Sequence, residues 1–455
     1  MPESQVEAAF RAGIDLFDED FGSSYCMPPD GEEAILGSLT AQTAEVWTGS
    51  YAGVPNIGET FDKFAEMYPP YVPRCAKGPR EWFEKIADSL DPSRHAGWSS
   101  YYKPGPKRAW LDTPENRGTL YYMVMCRLIL RYVNRYRAHR LTAADCFHLG
   151  LQDPCVLSIK QEPHAVTKHR RGAYRLLWIV SIVDAVALET VSRDFNKLQI
   201  AAYQNGYLHH TCAGMGHDDK GIARVGQSID YGNWCGTSVK AADASGWDLS
   251  VPQDGMLIDY ALRAHRCAIP PGSMRDIFMG LLYSTAHIVT KHCVLAGTQL
   301  YAQTHWSSNN SGGTNTTANN CTKRSFDHFL CGAYWVMVLG DDAIYWGDVD
   351  YELMARFGVR TKGGVQESGR YGPLSFTSHS FKREGGVWSA EYENFQKMVT
   401  RQVFKYAGKE MPEDVSGGIQ WVVRHSPGLL HNLHVLMDEF GWDHNVELVQ
   451  PVLVD

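Results

Sequence analysis

What the sequence lacks narrows it first. No stretch reaches the ~20 uncharged residues that cross a bilayer: the apolar run from Leu176 to Leu188 is broken by Asp184, and the run from Leu120 to Val133 carries Arg127 and Arg131. No basic start leads into an apolar stretch, so no secretory leader is expected and the chain is expected in a reducing compartment. Its 11 cysteines are then expected to be thiols. None of them forms a C-x2-C pair, and His209 with Cys212 has no second half nearby, which argues against a structural zinc. Repeats, low-complexity tracts and long charge runs are absent too, which implies one interlocked unit and not domains on a string.

What is present is the composition of a packed protein, 44% hydrophobic and 12% aromatic over 455 residues. That length fits a multi-lobed enzyme of two or three subdomains. A net charge of −8 argues against a surface coated in nucleic acid, yet allows a basic channel inside an acidic shell. The first ~150 residues mix helical patterns with Pro/Gly punctuation and read as scaffold.

Sharper signals begin at Lys160. The residues Lys160, Glu162, His164, Lys168, Arg170, Arg171 and Arg175 make a basic segment in an acidic protein, of the kind that neutralises a triphosphate or forms a solvated basic face. Thr237 to Asp243 reads as a strand with Asp243 at its end. A helix follows in which Ser250 and Gln253 have capping-box spacing, with Pro252 in the first turn. Asp243 and Asp248 lie five apart, and Gly246 between them lets the chain turn. The loop Ser311 to Asn320 is rich in hydroxyls, amides and glycine; it suits contact with a sugar, or a plain cap on the long helix that Cys321, Phe326 and Phe329 predict.

Tyr334 to Leu339 and Ala343 to Trp346 read as two strands separated by Gly340, Asp341 and Asp342, a hairpin with both carboxylates at its tip. Alone, such a turn is most often surface. With Asp243 it offers three convergent carboxylates, which is what two divalent ions ~3.5–4 Å apart need for phosphoryl transfer. Tyr351 to Phe357 reads as a helix stopped by Gly358, with Lys362 beyond it; Ser426, Pro427 and Gly441 bound a helix in the tail. Gly214, Gly216 and Gly221 have the wrong spacing for a dinucleotide fingerprint, and His305 and His379 read as packed or surface residues.

Lys160-Gln-Glu-Pro-His164, Asp243-Ala-Ser-Gly-Trp-Asp248, the Ser311–Asn320 loop, Gly340-Asp341-Asp342 and Phe376-Thr-Ser-His-Ser-Phe381, in this order, resemble motifs of the RNA-dependent RNA polymerases of positive-strand RNA viruses. The wording is most similar to the sobemovirus, polerovirus and barnavirus group, from about Ser99 to Lys397. The resemblance implies an α+β right-hand polymerase fold. Fingers would occupy 1–185 and 266–309. An antiparallel palm flanked by helices would occupy 186–265, with a finger insertion near 200–235, and 310–394. A small helical thumb would span 395–455.

It implies that Asp243, Asp341 and Asp342 hold two Mg2+ ions, with Mn2+ a substitute in vitro. Asp248, Ser311, Thr316 and Asn320 would read the ribose; Lys160, Lys168, Arg171 and Arg175 would hold the triphosphate, with Glu162 a salt-bridge partner. Lys362 falls where the family often has a lysine that protonates pyrophosphate. Ser99 to Pro106 is similar to the loop that admits template, and Phe376 to Phe381, followed by a turn at Lys382 to Gly386, to the hairpin that grips the nascent strand. Template and nascent RNA, ribonucleoside triphosphates, a protein primer (VPg) and viral or host replication proteins are the implied partners, with no membrane span, in replication complexes of the host-cell cytoplasm. A reverse transcriptase shares the palm but not the expected ribose readers. A non-catalytic RNA-binding scaffold would not need all three carboxylates.

Overall fold

The computed structural model describes residues 25–44, 49–76, 78–99, 101, 105–206, 210–235, 238–304, 312–367, 373–446 and 448. Helices α1 (Glu32–Thr43), α2 (Ile57–Glu66), α3 (Pro79–Ala87) and α4 (Pro114–Val133) open the chain. Strands β1 (Cys155–Ile159) and β2 (Leu176–Ile179) lead into the long helix α5 (Ile182–Gln204). Helix α4 starts where Thr113 accepts the Asn116 N–H and Pro114 takes the first position; α5 starts where the Ser181 hydroxyl accepts the Asp184 N–H. The charges that interrupt the two apolar runs meet here. Buried Arg127 and Arg131 of α4 reach Asp184 of α5 at 2.7 and 2.8 Å, and Arg127 also reaches Asp153 at 3.0 Å. Paired in this way, they can be buried beside the core of α3, α4 and α5.

Next come α6 (Asp219–Trp234), β3 (Lys240–Ala244), α7 (Gln253–Arg266), α8 (Ser273–Ile288), β4 (Cys293–Ala296) and β5 (Gln299–Ala302). Strands β1, β2, β4 and β5 form one sheet in the order β2-β1-β4-β5; its β1–β4 pairing is parallel and joins segments far apart in sequence. The segment Tyr25–Cys26 pairs with His164–Ala165 close to the basic segment.

Helix α9 (Thr316–Leu330) precedes β6 (Ala333–Leu339), β7 (Asp342–Gly347) and β8 (Thr361–Glu367), which with β3 make an antiparallel central sheet in the order β8-β3-β7-β6. Strand alternation gives this sheet two apolar faces. Ala242, Ala244, Val336, Val338, Ala343 and Tyr345 pack with α2, α5, α7 and α9, whereas Ala241, Met337 and Ile344 pack with α6 and a second sheet. That second sheet is a meander of β9 (Leu374–Phe376), β10 (His379–Glu384) and β11 (Val387–Tyr392). Helices α10 (Phe395–Tyr406), α11 (Glu413–Val423) and α12 (Pro427–Phe440) close the chain around their own core of Val399, Val403, Leu433 and Leu436. Gly441 ends α12 in the left-handed conformation. Among the described residues, no helix is long and apolar enough to cross a membrane.

Three sequence expectations are corrected. Pro252 is the N-cap of α7 and no side chain caps that helix; the Ser250 hydroxyl instead bonds the Trp247 carbonyl, because Trp247–Ser250 is a short helix of its own. Lys382–Glu384 belongs to β10, and only Gly385 and Gly386 turn. Asp342 is not in the hairpin tip: it pairs with Leu339 as the first residue of β7, leaving Gly340 and Asp341 as the turn.

Candidate active site

Three carboxylates gather at one end of the central sheet. Gly340 takes the left-handed φ of 68° that the two-residue turn between β6 and β7 demands, and its N–H donates to Cys321 Sγ of α9 at 3.3 Å. The turn is thereby tied to the helix beneath it. Ala242 pairs with Ala343, so continuing the antiparallel register by one residue sets Asp243 across from Asp342. On the other side of β3, Lys362 pairs with Asp243. The Lys362 backbone is described and its side chain is not, and the same holds for Asp248.

The electrostatics of these acids is that of like charges held together. Burial, then Asp243, raises the Asp341 carboxyl; Arg324 and Arg175 oppose this. Burial, then Asp341 and Asp243, pushes Asp342 up to about 7, against the Thr377 backbone N–H and Arg324. The donor set is all oxygen, as Mg2+ and Mn2+ prefer, and Mg2+ is usually held by only one or two carboxylates plus phosphate and water. Among the described residues, no three His, Cys, Asp or Glu side chains converge into a ready-made cage. The residues therefore fit a hard divalent cation by donor type and by the like charges brought together there.

Helix α9 carries the groups behind the acids. Arg324 is fully buried and donates to the Ala242 carbonyl at 3.4 Å; burial pushes its guanidinium down, and Asp327, Tyr345, Asp341 and Asp243 pull it back. Asn320 is buried one turn earlier and accepts the Trp247 indole N–H at 2.7 Å. Gly246, at φ 61°, makes the bend that brings Trp247 inward after β3. Lys323 and Asp327 form a fully buried pair at 2.6 Å, and the Tyr51 hydroxyl donates to Asp327. Asn315, just before α9, is locked by Arg263 (2.8 Å) and Asp259 (2.9 Å), while the half-buried Thr316 hydroxyl donates to the Gly313 carbonyl at 2.8 Å. The same loop lies against β2, where a Cβ on Gly312 would sit 1.9 Å from the Trp178 carbonyl oxygen.

Part of the basic segment folds as a short helix, Val166–Arg170, against the paired segments Tyr25–Cys26 and His164–Ala165. Lys168, Arg171 and Arg175 are exposed, and Arg175 is close enough to act on Asp341. Glu162 is buried and bridges Lys160 at 2.9 Å and Lys397 of α10 at 3.4 Å, the salt-bridge role expected of it. Burial raises its carboxyl, but Lys160 and then Lys397 outweigh that and hold it below the usual range. The turn Thr377–Ser378 between β9 and β10 has φ of 54° and 59°.

Ser311 and His305 lie outside the described residues, as do 100 and 102–104 of the loop from Ser99 to Pro106, whose ends are pinched by Ala96 N–H donating to the Gly105 carbonyl at 2.8 Å. His379 is buried, as a packed residue should be. Sequence reasoning assigned no role to Trp247 or Arg324, and took Thr377 only as part of the hairpin similar to the one that grips the nascent strand. Lys323, Arg324 and Asp327 did carry a signal, since they interrupt the apolar face that Cys321 and Phe326 define on α9.

No family model matches the chain. It is 28% identical to protein P1-P2 of Turnip yellows virus over 95% of its own length and 42% of that protein. It is 27% identical to replicase polyprotein P2AB of Southern bean mosaic virus over 89% of its length and 42% of that protein, and 25% identical to the RNA-directed RNA polymerase of Mushroom bacilliform virus over 63% and 69% of the two chains. The chain spans less than half the length of the first two. Among solved structures it matches the Sicinivirus 3Dpol RNA dependent RNA polymerase with a TM-score of 0.60 and 13% identity, over 91% of this chain and 86% of that one. The fold is the right-hand polymerase fold.

Proposed function

We propose that this chain is an RNA-dependent RNA polymerase that copies a positive-strand viral RNA genome from ribonucleoside triphosphates. The observation that carries the reading is the meeting of Asp243, Asp341 and Asp342 at one end of the central sheet, where Asp243 adds to the burial that raises Asp341, and Asp341 and Asp243 add to the burial that raises Asp342. Similarity to a virus polymerase, a virus replicase polyprotein and a virus polymerase structure supports it.

In this reading residues 1–185 and 266–309 are fingers, 186–265 and 310–394 are palm, and 395–455 are thumb. Asp243 and Asp341, helped by Asp342, would hold two divalent ions, Mg2+ by preference and Mn2+ in vitro. When bound, such ions activate the attacking 3′-hydroxyl and neutralise the triphosphate. Lys160, Lys168, Arg171 and Arg175 receive the triphosphate, and Arg175 is best placed because its charge already acts on Asp341. Asn320 and Asp248, with Ser311 and Thr316, read the ribose 2′-hydroxyl, and Lys362 gives a proton to the departing pyrophosphate. Template and nascent RNA, a protein primer and viral or host replication proteins are the partners, in cytoplasmic replication complexes.

The test is incorporation of labelled ribonucleotides on a primed homopolymer RNA with Mg2+, comparing the native chain with Asp341→Ala. Synthesis that Asp341→Ala abolishes is expected. Incorporation of deoxynucleotides alone would instead make this a reverse transcriptase, and RNA binding without synthesis by either protein would make it a scaffold.

A further inference from the structure

The Thr377–Ser378 turn is built of the wrong residues for its shape. Two consecutive left-handed residues in a hairpin turn call for glycine, asparagine or aspartate, and a β-branched threonine at φ 54° is an outlier. Such strain persists only where the surroundings over-determine it, and it concentrates at functional sites.

The surroundings here do so. The Thr377 hydroxyl donates to the Phe376 carbonyl at 2.7 Å, which uses its proton; His217 Nε2, 2.9 Å from the same oxygen, must therefore be the donor of that pair. His379 Nδ1 lies 2.8 Å from the Thr377 carbonyl and donates to it. The two imidazoles stack with centroids 4.1 Å apart and planes at 20°. His217 is anchored in turn, because Arg424, just beyond α11, donates to its carbonyl and to Asp219, each at 2.8 Å. Ser378 is held from the far side by the Glu393 N–H at 2.9 Å. Strand β9 packs through Leu374 and Phe376 against Ala241 and Ile344 of the strands that carry Asp243 and Asp342. By strand alternation Asp342 lies on the same face of β7 as Ile344, the face against which β9 packs, so the turn sits beside its carboxylate, and the Thr377 backbone N–H is among the groups that lower that carboxyl.

We propose that the Thr377–Ser378 turn is a positioning device for Asp342, clamped in its strained shape by His217 and His379 so that one backbone N–H holds the carboxylate in a single orientation. The inference rests on the reading of Asp342 as part of an ion-binding site. Thr377 and His217 touch no substrate in it; they act through Asp342, as outer groups that orient a ligand do. If the turn served only to join β9 to β10, glycine would serve better.

The experiment measures Mn2+ binding to metal-free protein by electron paramagnetic resonance, together with the Tm, for the native chain, Asp341→Ala, Thr377→Gly, Thr377→Ser and His217→Phe. The native chain should bind Mn2+ in a manner that Asp341→Ala removes. Thr377→Gly and His217→Phe should weaken that binding by about tenfold, and Thr377→Ser, which keeps the hydroxyl, should restore it. Glycine relieves the left-handed strain, so the Tm of Thr377→Gly should hold or rise while its affinity falls; a turn with only a structural role would not move the affinity. Native-like affinity in both Thr377→Gly and His217→Phe overturns the proposal alone, and absence of any Asp341-dependent binding in the native chain overturns the ion-site reading and the proposal with it.

Discussion

The Trp247 indole N–H donates to the Asn320 side-chain oxygen at 2.7 Å, with both residues buried. An indole can only donate, so the amide is fixed with its oxygen toward Trp247 and its amino group away from it. Trp247→Phe keeps the ring and deletes the N–H. The loss of one hydrogen bond, about 0.5–1.5 kcal/mol, should lower the preference for ribo- over deoxyribonucleotides by roughly two- to tenfold in kcat/KM, measured by single-nucleotide incorporation. An equal loss for both sugars would mean that Trp247 only packs.

Asp342 predicts a pH dependence. Its carboxyl is raised in the folded state to about 7 from an ordinary value of 3.8, so between those values the folded chain binds more protons than the unfolded one. Its contribution to stability is present in full below the ordinary value and is lost as pH rises through about 7. In chelator, scanning calorimetry should show that Asp342→Asn flattens the fall in Tm between about pH 5 and pH 8. Added Mg2+, which competes with the proton, should raise the native Tm more at the upper end of that window. An identical Mg2+ effect at both ends would contradict this.

Buried and exposed ion pairs should separate clearly. Lys323 and Asp327 are fully buried at 2.6 Å; burial pushes the lysine down and the aspartate up, and each partner pulls the other back. Lys323→Met strands the carboxylate and should cost about 3–5 kcal/mol in urea unfolding. Glu59→Gln breaks the exposed Glu59–Lys63 pair, also short at 2.7 Å, and should leave the unfolding midpoint almost unchanged. Comparable losses would show that distance, and not burial, governs these pairs.

Gly312→Ala tests how the loop before α9 is seated. Its Cβ would meet the backbone carbonyl of Trp178 at 1.9 Å, and a backbone atom of β2 cannot swing aside as a side chain does. The loop must lift, so incorporation should fall by tenfold or more, roughly 1.4 kcal/mol in the barrier, with RNA affinity little changed in fluorescence polarisation. Native activity would show that the loop has room to spare.

What the sequence disclosed and what it hid follow from the range of the forces involved. The Gly340–Asp341 turn, the long helix after Asn315 and the Ser426–Gly441 bounds of α12 were legible because turn chemistry, periodicity and caps act over a few residues. Helix-capping signals misled at Ser250, where a four-residue helix from Trp247 intervenes. Lys382–Glu384 looked like a turn for its polarity, yet Gly385 and Gly386 suffice to turn and the charged residues edge a strand. The parallel pairing of β1 with β4 joins segments that share no local pattern. The break that Arg324 makes in the apolar face of α9 was visible, but its place behind the acids was not, because besides Asp327 of its own helix its partners come from β3 and from the β6–β7 hairpin; Thr377 was hidden because its backbone shape contradicts its own preference.

The sulfur beneath the acidic turn gives the molecule a gauge of its own motion. Cys321 accepts the Gly340 N–H and is buried, and burial pushes its thiol up to about 12, so alkylating reagents at neutral pH find almost no thiolate there. Cys126 and Cys235 are exposed and label first. Once those two are blocked, the residual modification rate at Cys321 becomes a clock for how often the turn parts from α9, readable by mass spectrometry in the resting protein and again during synthesis.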